Sequence, residues 1–392
     1  MLLEDLPENH GIRPIPTLPM FRIVKDYYKN LKGWRSTKKY VLISADDYGN
    51  SRMHSYQAKA HLIEQGFLSS KNRFDHFDTL ETRTDLEALF EVLQSVKDCR
   101  GNNAIFSPYV LTRNMDFEAM AEDQYQTYKS ELITESFAKR ASEMPQAYEG
   151  TWSYWQEGLK KGLLKPEFHG REHFNGQAFQ LALKKDKQML NILSSKSHVT
   201  TPFYQSLKYN WTAAFAFETL EDTRDFEGII KEGLSDFKHL FRKSATSFTP
   251  PAQQFPLHLE SRLKDCGLQA IDRPYTMRRH LGYQKFRAER HHLGEQNDGL
   301  IELVRNVPFE PTADANRPSV NNAMKQIQAA FFLGKPAHIS THRVNFAGHI
   351  DESNRQAGLA ALRELLKQIT LKWPDVEFIG AGDLVTKIKA ED

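Results

Sequence analysis

The chain has little cysteine: of its 392 residues, only Cys99 and Cys266 are of this type. Two cysteines exclude a disulfide framework and a cysteine-rich zinc module, and they fit a reducing compartment. Any metal must therefore be held by histidine, aspartate or glutamate. No apolar run approaches the roughly 20 residues of a membrane span, and the first ten residues carry acids where a secretory signal needs a basic start. We expect a cytoplasmic protein with no membrane span.

The chain also lacks a charge excess. Its 52 Lys and Arg residues nearly balance 50 Asp and Glu residues, and the formal net charge is +2. Without a basic stripe interleaved with aromatic residues, we expect no nucleic-acid partner. The length suits either one large α/β domain of the barrel type or two ordinary domains. The composition leaves the oligomeric state open.

Short apolar runs alternate with helical patterns along most of the chain, and no linker-like break in composition separates them. About eight such runs predict a single α/β domain, a barrel of parallel strands, over residues 39–392, preceded by an N-terminal arm over residues 1–38. Residues 113–165 form a long aromatic-rich insertion. Its aromatic side chains either build a wall of a carbohydrate site or simply pack onto the domain.

The stretch from Tyr40 to Gly49 is an apolar strand that runs directly into Asp46 and Asp47. Successive side chains of a strand point to opposite faces, so the two acids share a task only if the strand has begun to turn. One acid is then suited to hold a metal and the other to handle a proton. The alternative is that Asp47 caps a helix beginning near Ser51.

His169 and His173 follow another strand-like run, four residues apart. On a helical turn this spacing places both imidazoles on one face, where they reach a single ion, and imidazole suits Zn²⁺ and neighbouring transition metals. Chance pairing among 15 histidines is the competing explanation.

Further polar residues stand at predicted strand exits, namely Asp272 and His342. In parallel barrels such exits share one end, so these side chains are expected to meet the acids and the first histidine. Asp272 either orients His342 by a hydrogen bond or caps a turn before Pro274. His342 itself is either reactive or a buried, hydrogen-bonded histidine. The basic stretch 278–292 is predicted to be a solvated loop, with contact to an acidic glycan as the alternative.

Taken in order, these segments resemble the five motifs of NodB-type polysaccharide deacetylases over roughly residues 40 to 345. The motifs are Ser44-Ala-Asp-Asp-Tyr-Gly49, His169-Gly-Arg-Glu-His173, Thr249-Pro-Pro251, Asp272 and Ser340-Thr-His342. The resemblance implies a distorted (β/α)7-type barrel. It also implies that Asp47, His169 and His173 bind a divalent metal, expected to be Zn²⁺, that Asp46 is the general base and that His342 is the general acid.

The third motif departs from the family, because Phe248-Thr-Pro-Pro251 lacks the usual arginine. Arg171 is the candidate to pair with Asp46 and lower its pKa. The expected activity is metal-dependent hydrolysis that removes an acetyl or other acyl group from an N-acetylated amino sugar or polysaccharide, with an ester as a possible target. Two alternatives stay open: a glycoside hydrolase on a similar barrel, and a carbohydrate-binding protein without catalysis.

Overall fold

The computed structural model describes residues 19–68, 72–185, 188–200, 212–283, 285–314 and 316–391. Residues 1–18 of the predicted N-terminal arm lie outside the described residues. Among the described helices, none is both long and apolar enough to cross a lipid bilayer.

The strands, numbered in chain order, are β1 (Tyr40–Tyr48), β2 (Phe106–Leu111), β3 (Arg113–Met115), β4 (Ser130–Leu132), β5 (Glu167–Gly170), β6 (Ser247–Phe248), β7 (Ala270–Pro274), β8 (Thr276–His280), β9 (Phe286–Arg290), β10 (Gln296–Asn297), β11 (Leu300–Arg305), β12 (Val307–Pro308), β13 (Ala337–His342) and β14 (Glu377–Ile379).

The helices are α1 (Pro19–Tyr28), α2 (Tyr56–Glu64), α3 (Arg73–Phe77), α4 (Arg83–Gln94), α5 (Phe117–Glu122), α6 (Ile133–Glu143), α7 (Pro145–Tyr148), α8 (Thr151–Lys160), α9 (Gly176–Lys185), α10 (Gln188–Ser194), α11 (Phe226–Phe241), α12 (Glu260–Asp265), α13 (Ser319–Phe332), α14 (Glu352–Lys372) and α15 (Ala381–Glu391). Short 3₁₀ turns at 220–223, 251–253, 257–259 and 343–345 complete the described regular structure.

The main sheet curls into a barrel of parallel strands. Its order runs β11, β7, β6, β5, β2, β1, β13 and β12. Only Asn306 separates β11, which pairs with β7, from β12, which pairs with β13, so one passage of chain joins the two ends of the sheet. Seven strand passages therefore surround the barrel, and the predicted distorted (β/α)7-type fold is confirmed.

The barrel is irregular where local sequence interrupts the strands. The two-residue strand β6 is followed by Pro250 and Pro251, which lack the N–H group needed to continue pairing. The strand β14 pairs only with the beginning of β1. The core lies inside the sheet and under its helices, where apolar side chains such as Ile43, Phe106 and Phe168 are fully buried.

The passage between β2 and β5 contains the β3–β4 hairpin and helices α5 to α8. Its aromatic side chains Phe137, Tyr148 and Trp155 belong to the main core, and Phe117 lies in a smaller cluster with residues of α9 and α10. Burial of these rings favours the packing alternative for the aromatic insertion over a carbohydrate-binding wall.

One local prediction was wrong. The basic stretch is not a loop: β8 and β9 pair as an antiparallel hairpin, in which the Arg278 guanidinium lies 4.7 Å from the Phe286 ring centroid. Helix α4 begins with a capping box of Thr82 and Asp85, whose side chains and backbone N–H groups bond reciprocally.

Candidate functional site

The exit of β1 brings two adjacent carboxylates to one cavity. Asp47 has a left-handed φ of 75°, and the pairing register with β2 shifts between Ala45 and Tyr48. This kink overrides the alternation of a regular strand, so Asp46 and Asp47 both line the same cavity. The helix-capping alternative for Asp47 is wrong, because α2 begins at Tyr56 with Ser55 as its cap.

Asp47 meets both histidines of the second motif. Its Oδ1 lies 3.1 Å from Nε2 of His173 and 3.4 Å from Nε2 of His169. The predicted helical turn is absent: His169 lies in β5, and Gly170, with a φ of 144°, bends the chain so that His173 follows in a loop. The structure thus brings the three predicted metal ligands together by a strand and a bend.

A hydrogen bond determines which nitrogen of His169 faces the carboxylate. Nδ1 lies 2.8 Å from the carbonyl oxygen of Thr249, and because a carbonyl only accepts, Nδ1 carries the proton. Nε2 is therefore the ring nitrogen directed toward Asp47, and this buried nitrogen has no hydrogen-bond partner among the described residues. Burial raises the pKa of the Asp47 carboxyl, but His173 and His169 hold it well below its ordinary value.

This donor set fits a divalent metal. Two acceptor atoms facing each other at 3.4 Å repel unless a cation or a proton lies between them. One carboxylate and two imidazoles are ligands typical of Zn²⁺, and a backbone carbonyl that orients a ligating histidine is a common outer partner. The carboxylates of Asp116, Glu118 and Glu131 also cluster, but Lys139 Nζ lies 2.5–3.2 Å from all three and already supplies a cation that they share.

Asp46 is held by an arginine that the sequence did not single out. Arg305, the last residue of β11, places Nη1 2.7 Å from one oxygen of Asp46 and Nη2 2.7 Å from the other. The same guanidinium donates to Asp272 through Nε at 3.0 Å and to Thr249 Oγ1 at 2.9 Å. Burial raises the pKa of Asp46, but Arg305 outweighs it, so the pKa lies below its ordinary value.

The predicted pairing of Arg171 with Asp46 is wrong. Arg171 donates to Glu172 at 2.7–2.9 Å and pairs with Glu232, because the bend after β5 directs it away from the exit of β1. The sequence analysis did not select Arg305, although a signal for it was present. The run that begins at Leu300 ends in this charged residue, just as other predicted strands end in Asp272 and His342.

His342 lies on the other side of Asp46, with Nε2 3.8 Å from Oδ2. The Nδ1 atom of His342 lies 2.6 Å from Glu310 Oε1, so Glu310 orients the ring. Asp272 neither orients His342 nor caps a turn as its main contact, because its carboxylate accepts from Arg305. Burial lowers the pKa of His342, but Glu310 and Asp46 raise it to about 9. The imidazolium form therefore predominates at neutral pH. Glu310 follows the short β12 by two residues, and no sequence pattern marked it.

These groups face one cavity of about 500 Å³. The volume lies within the roughly 300–1,000 Å³ of typical small-molecule sites. The described residues that line it include the two aspartates, both motif histidines, Arg305, Glu310 and His342, together with Arg52, Asn72, Phe74 and Thr200. Asp272 is fully buried below this surface.

A buried ion network supports the turn after Asp47. The Glu81 carboxylate accepts the backbone N–H of Gly49 at 3.1 Å and the indole N–H of Trp155 at 3.0 Å. Arg343 donates to Glu81 at 2.9 Å and to Asp78 at 3.0 Å. Gly49 has a φ of 80°, and a Cβ at this position would lie 2.7 Å from the Leu111 carbonyl oxygen, so the turn requires glycine.

No protein-family model and no curated protein matches the chain. Among solved structures, it is similar to the peptidoglycan deacetylase PdaC from Bacillus subtilis, with 12% identity, coverage of 91% of this chain and 93% of that one, and a TM-score of 0.38. It is also similar to a Pseudomonas aeruginosa PAO1 protein described as a probable polysaccharide deacetylase, with 9% identity, coverage of 90% of this chain and 91% of that one, and a TM-score of 0.43. For the 4-alpha-glucanotransferase from Thermococcus litoralis, the identity is 10%, the coverage is 89% of this chain and 40% of that one, and the TM-score is 0.43. All three TM-scores lie below 0.5.

Proposed function

We propose that the protein is a metal-dependent hydrolase that removes an acetyl or other acyl group from an acylated amino sugar or polysaccharide. The observation that carries the proposal is the convergence of Asp47, His169 and His173 beside a second carboxylate and a protonated histidine. The motif resemblance to NodB-type deacetylases supports the same activity.

Asp47, His169 and His173 would hold the metal, with Zn²⁺ as the expected ion. When bound, a metal of this kind lowers the pKa of water and polarises an acyl carbonyl. The three residues supply one negative charge and two neutral donors, which leaves a net positive centre. The hydrogen bond from His169 to Thr249 keeps one imidazole in the tautomer that ligation requires.

Asp46 is the proposed general base. Two parallel hydrogen bonds from Arg305 fix its orientation and keep it ionised. It lies next to the metal ligand Asp47 and lines the cavity, so it is placed to take a proton from the attacking water. General base catalysis contributes about 10²- to 10⁴-fold to rate.

His342 is the proposed general acid. Its Nδ1–H donates to Glu310, which leaves Nε2–H for the leaving group on the side of Asp46. Because the pKa of His342 is raised to about 9, the ring carries the proton that a departing amine needs. The base and the acid thus have different charge states at one pH, each set by its own partner.

The test is acetate release from N-acetylated oligosaccharides by the zinc-loaded protein, measured together with new reducing ends. The proposal predicts acetate without reducing ends, and it predicts that His169→Ala removes the activity while the exposed His61→Ala retains it. Reducing ends without acetate would instead support a glycoside hydrolase. Glycan binding without metal or turnover would support a binding protein.

A further inference from the structure

Arg52 is a buried arginine that the proposed chemistry does not use. It lies between β1 and α2, is 4% exposed, and lines the same cavity as the two aspartates. Its Nε and Nη2 donate to Asp75 Oδ1 at 3.2 and 2.8 Å, and Nη2 also donates to Thr200 Oγ1 at 2.5 Å. No partner among the described residues takes Nη1, and this nitrogen is not among the fully buried unpaired atoms. Among the described residues, the Nη1 group is therefore an unpaired donor at the cavity.

The guanidinium is rigidly held. Asp75 is fully buried and also accepts the backbone N–H of Thr200 at 2.9 Å, while the guanidinium carbon of Arg52 lies 5.5 Å from the centre of the Phe74 ring. By contrast, every nitrogen of Arg305, the other arginine among the described lining residues, already has a partner. Of the two arginines among the described lining residues, Arg52 is thus the one that has an unpaired N–H group.

The charges around the cavity indicate what this donor binds. The Nη1 group can donate a charge-assisted hydrogen bond to a carboxylate, and Asn72, whose Oδ1 accepts the Phe74 N–H, adds an amide to the same wall. The carboxylates of Asp46, Asp47 and Glu310 line the cavity as well, and they disfavour a doubly charged phosphate. A single negative charge fits best.

Arg52 also lies near the proposed acid. Phe74 contacts Arg52 on one side, and its ring centroid lies 5.3 Å from that of His342. One side chain therefore separates the free donor from the group that would protonate the leaving amine. A ligand group bound by Arg52 belongs to the sugar that carries the acyl group.

We propose that Arg52 binds a carboxylate of the substrate, so that the preferred substrate is an acylated amino sugar that is itself acidic. This inference rests on the proposed function and names the substrate class of the same site. A charge-assisted hydrogen bond of this kind corresponds to a preference of about 10- to 100-fold over the uncharged analogue.

The test compares kcat/KM for two acids, N-acetylglucosaminuronic acid and the 3-O-lactyl ether of N-acetylglucosamine, each against its own primary amide. The two acids place the carboxylate at different positions of one sugar. We expect at least one acid to be preferred by 10-fold or more. The double variant Arg52→Gln/Asp75→Asn, which leaves no unpaired buried charge, should bring the ratio close to one, whereas the exposed Arg100→Gln should keep it.

Equal kcat/KM for acids and amides in the wild type would overturn the inference, as would a preference that survives in the double variant. Absence of turnover on all four compounds would contradict the proposed function instead. In that case, calorimetry with zinc-loaded Asp46→Asn protein tests the carboxylate site at Arg52 independently of the proposed activity, because it measures binding of the acids and amides without turnover. Tighter binding of an acid, lost when Arg52→Gln/Asp75→Asn is added, supports the carboxylate site, and equal binding of acid and amide refutes it.

Discussion

Arg305 donates two parallel hydrogen bonds, each 2.7 Å long, to the Asp46 carboxylate, although the two residues are 259 positions apart in the chain. The arginine missing from the third motif is thus replaced by one from a different strand. This geometry explains how a carboxylate buried beside the proposed metal ligands stays ionised.

Arg305→Gln is expected to move the acidic limb of the kcat/KM profile to higher pH. Without the guanidinium, burial, which raises the pKa of Asp46, is opposed only by His169 and His342, so this pKa rises and the basic form becomes populated only at higher pH. The variant also leaves Asp46 and Asp272 unpaired, which costs about 3–5 kcal/mol of stability. Arg305→Lys keeps a charge if the first variant does not fold. Arg171→Gln, which touches neither acid, should leave the limb in place, and an unmoved limb in the Arg305 variants would contradict the assignment.

Glu310→Gln is expected to shift the alkaline limb in the opposite direction. Activity should require protonated His342, so it falls as pH rises through the pKa of this residue, about 9. Without the Glu310 carboxylate, only Asp46 and Asp47 oppose the lowering of that pKa by burial, so the pKa decreases and the fall in activity begins at lower pH. The measurement is kcat/KM against pH for the wild type, Glu310→Gln and the surface control Glu87→Gln. Identical alkaline limbs in all three would rule out Glu310 as the partner of the acid.

Asp46→Asn should lower kcat by about 10²- to 10⁴-fold and retain the bound metal. The side chain is nearly isosteric, and the three proposed ligands stay intact. The experiment pairs single-turnover acetate release with the metal content of the same preparation. Nearly wild-type turnover would remove Asp46 from the role of base, and loss of metal would make it a ligand.

Arg343→Met should destabilise the protein by about 3–5 kcal/mol, because it leaves the buried Asp78 and Glu81 without their shared partner. Arg83→Met is the matched control, since the half-exposed Arg83 pairs with Glu87 on the surface of α4 and lies over the Tyr154 ring, and its loss should matter by less than about 1 kcal/mol. Denaturant unfolding measures both. Equal losses would show that the network below Gly49 has no special role.

The alternation of strands and helices was sufficient to predict the barrel, because each strand is a short apolar run that ends in a turn. The meeting of Asp47 with His169 and His173 followed from strand exits sharing one end of a barrel. The helical turn expected for the histidines was wrong, since sequence spacing alone does not reveal the bend at Gly170.

The partners of the reactive groups were harder to predict. Arg305 and Glu310 reach Asp46 and His342 from elements more than 30 residues away along the chain, and their bonds depend on how the barrel closes. Similarly, the left-handed φ of Asp47 is imposed by the turn after β1, and only this kink lets two successive residues of a strand face one cavity.

The most direct test of the account is elemental analysis of the purified protein after loading with Zn²⁺, combined with anomalous scattering to locate the ion. The account predicts one equivalent of metal bound by Asp47, His169 and His173, and no tightly bound metal in Asp47→Ala or His169→Ala. A metal held by other residues, or full metal content in both variants, would contradict it.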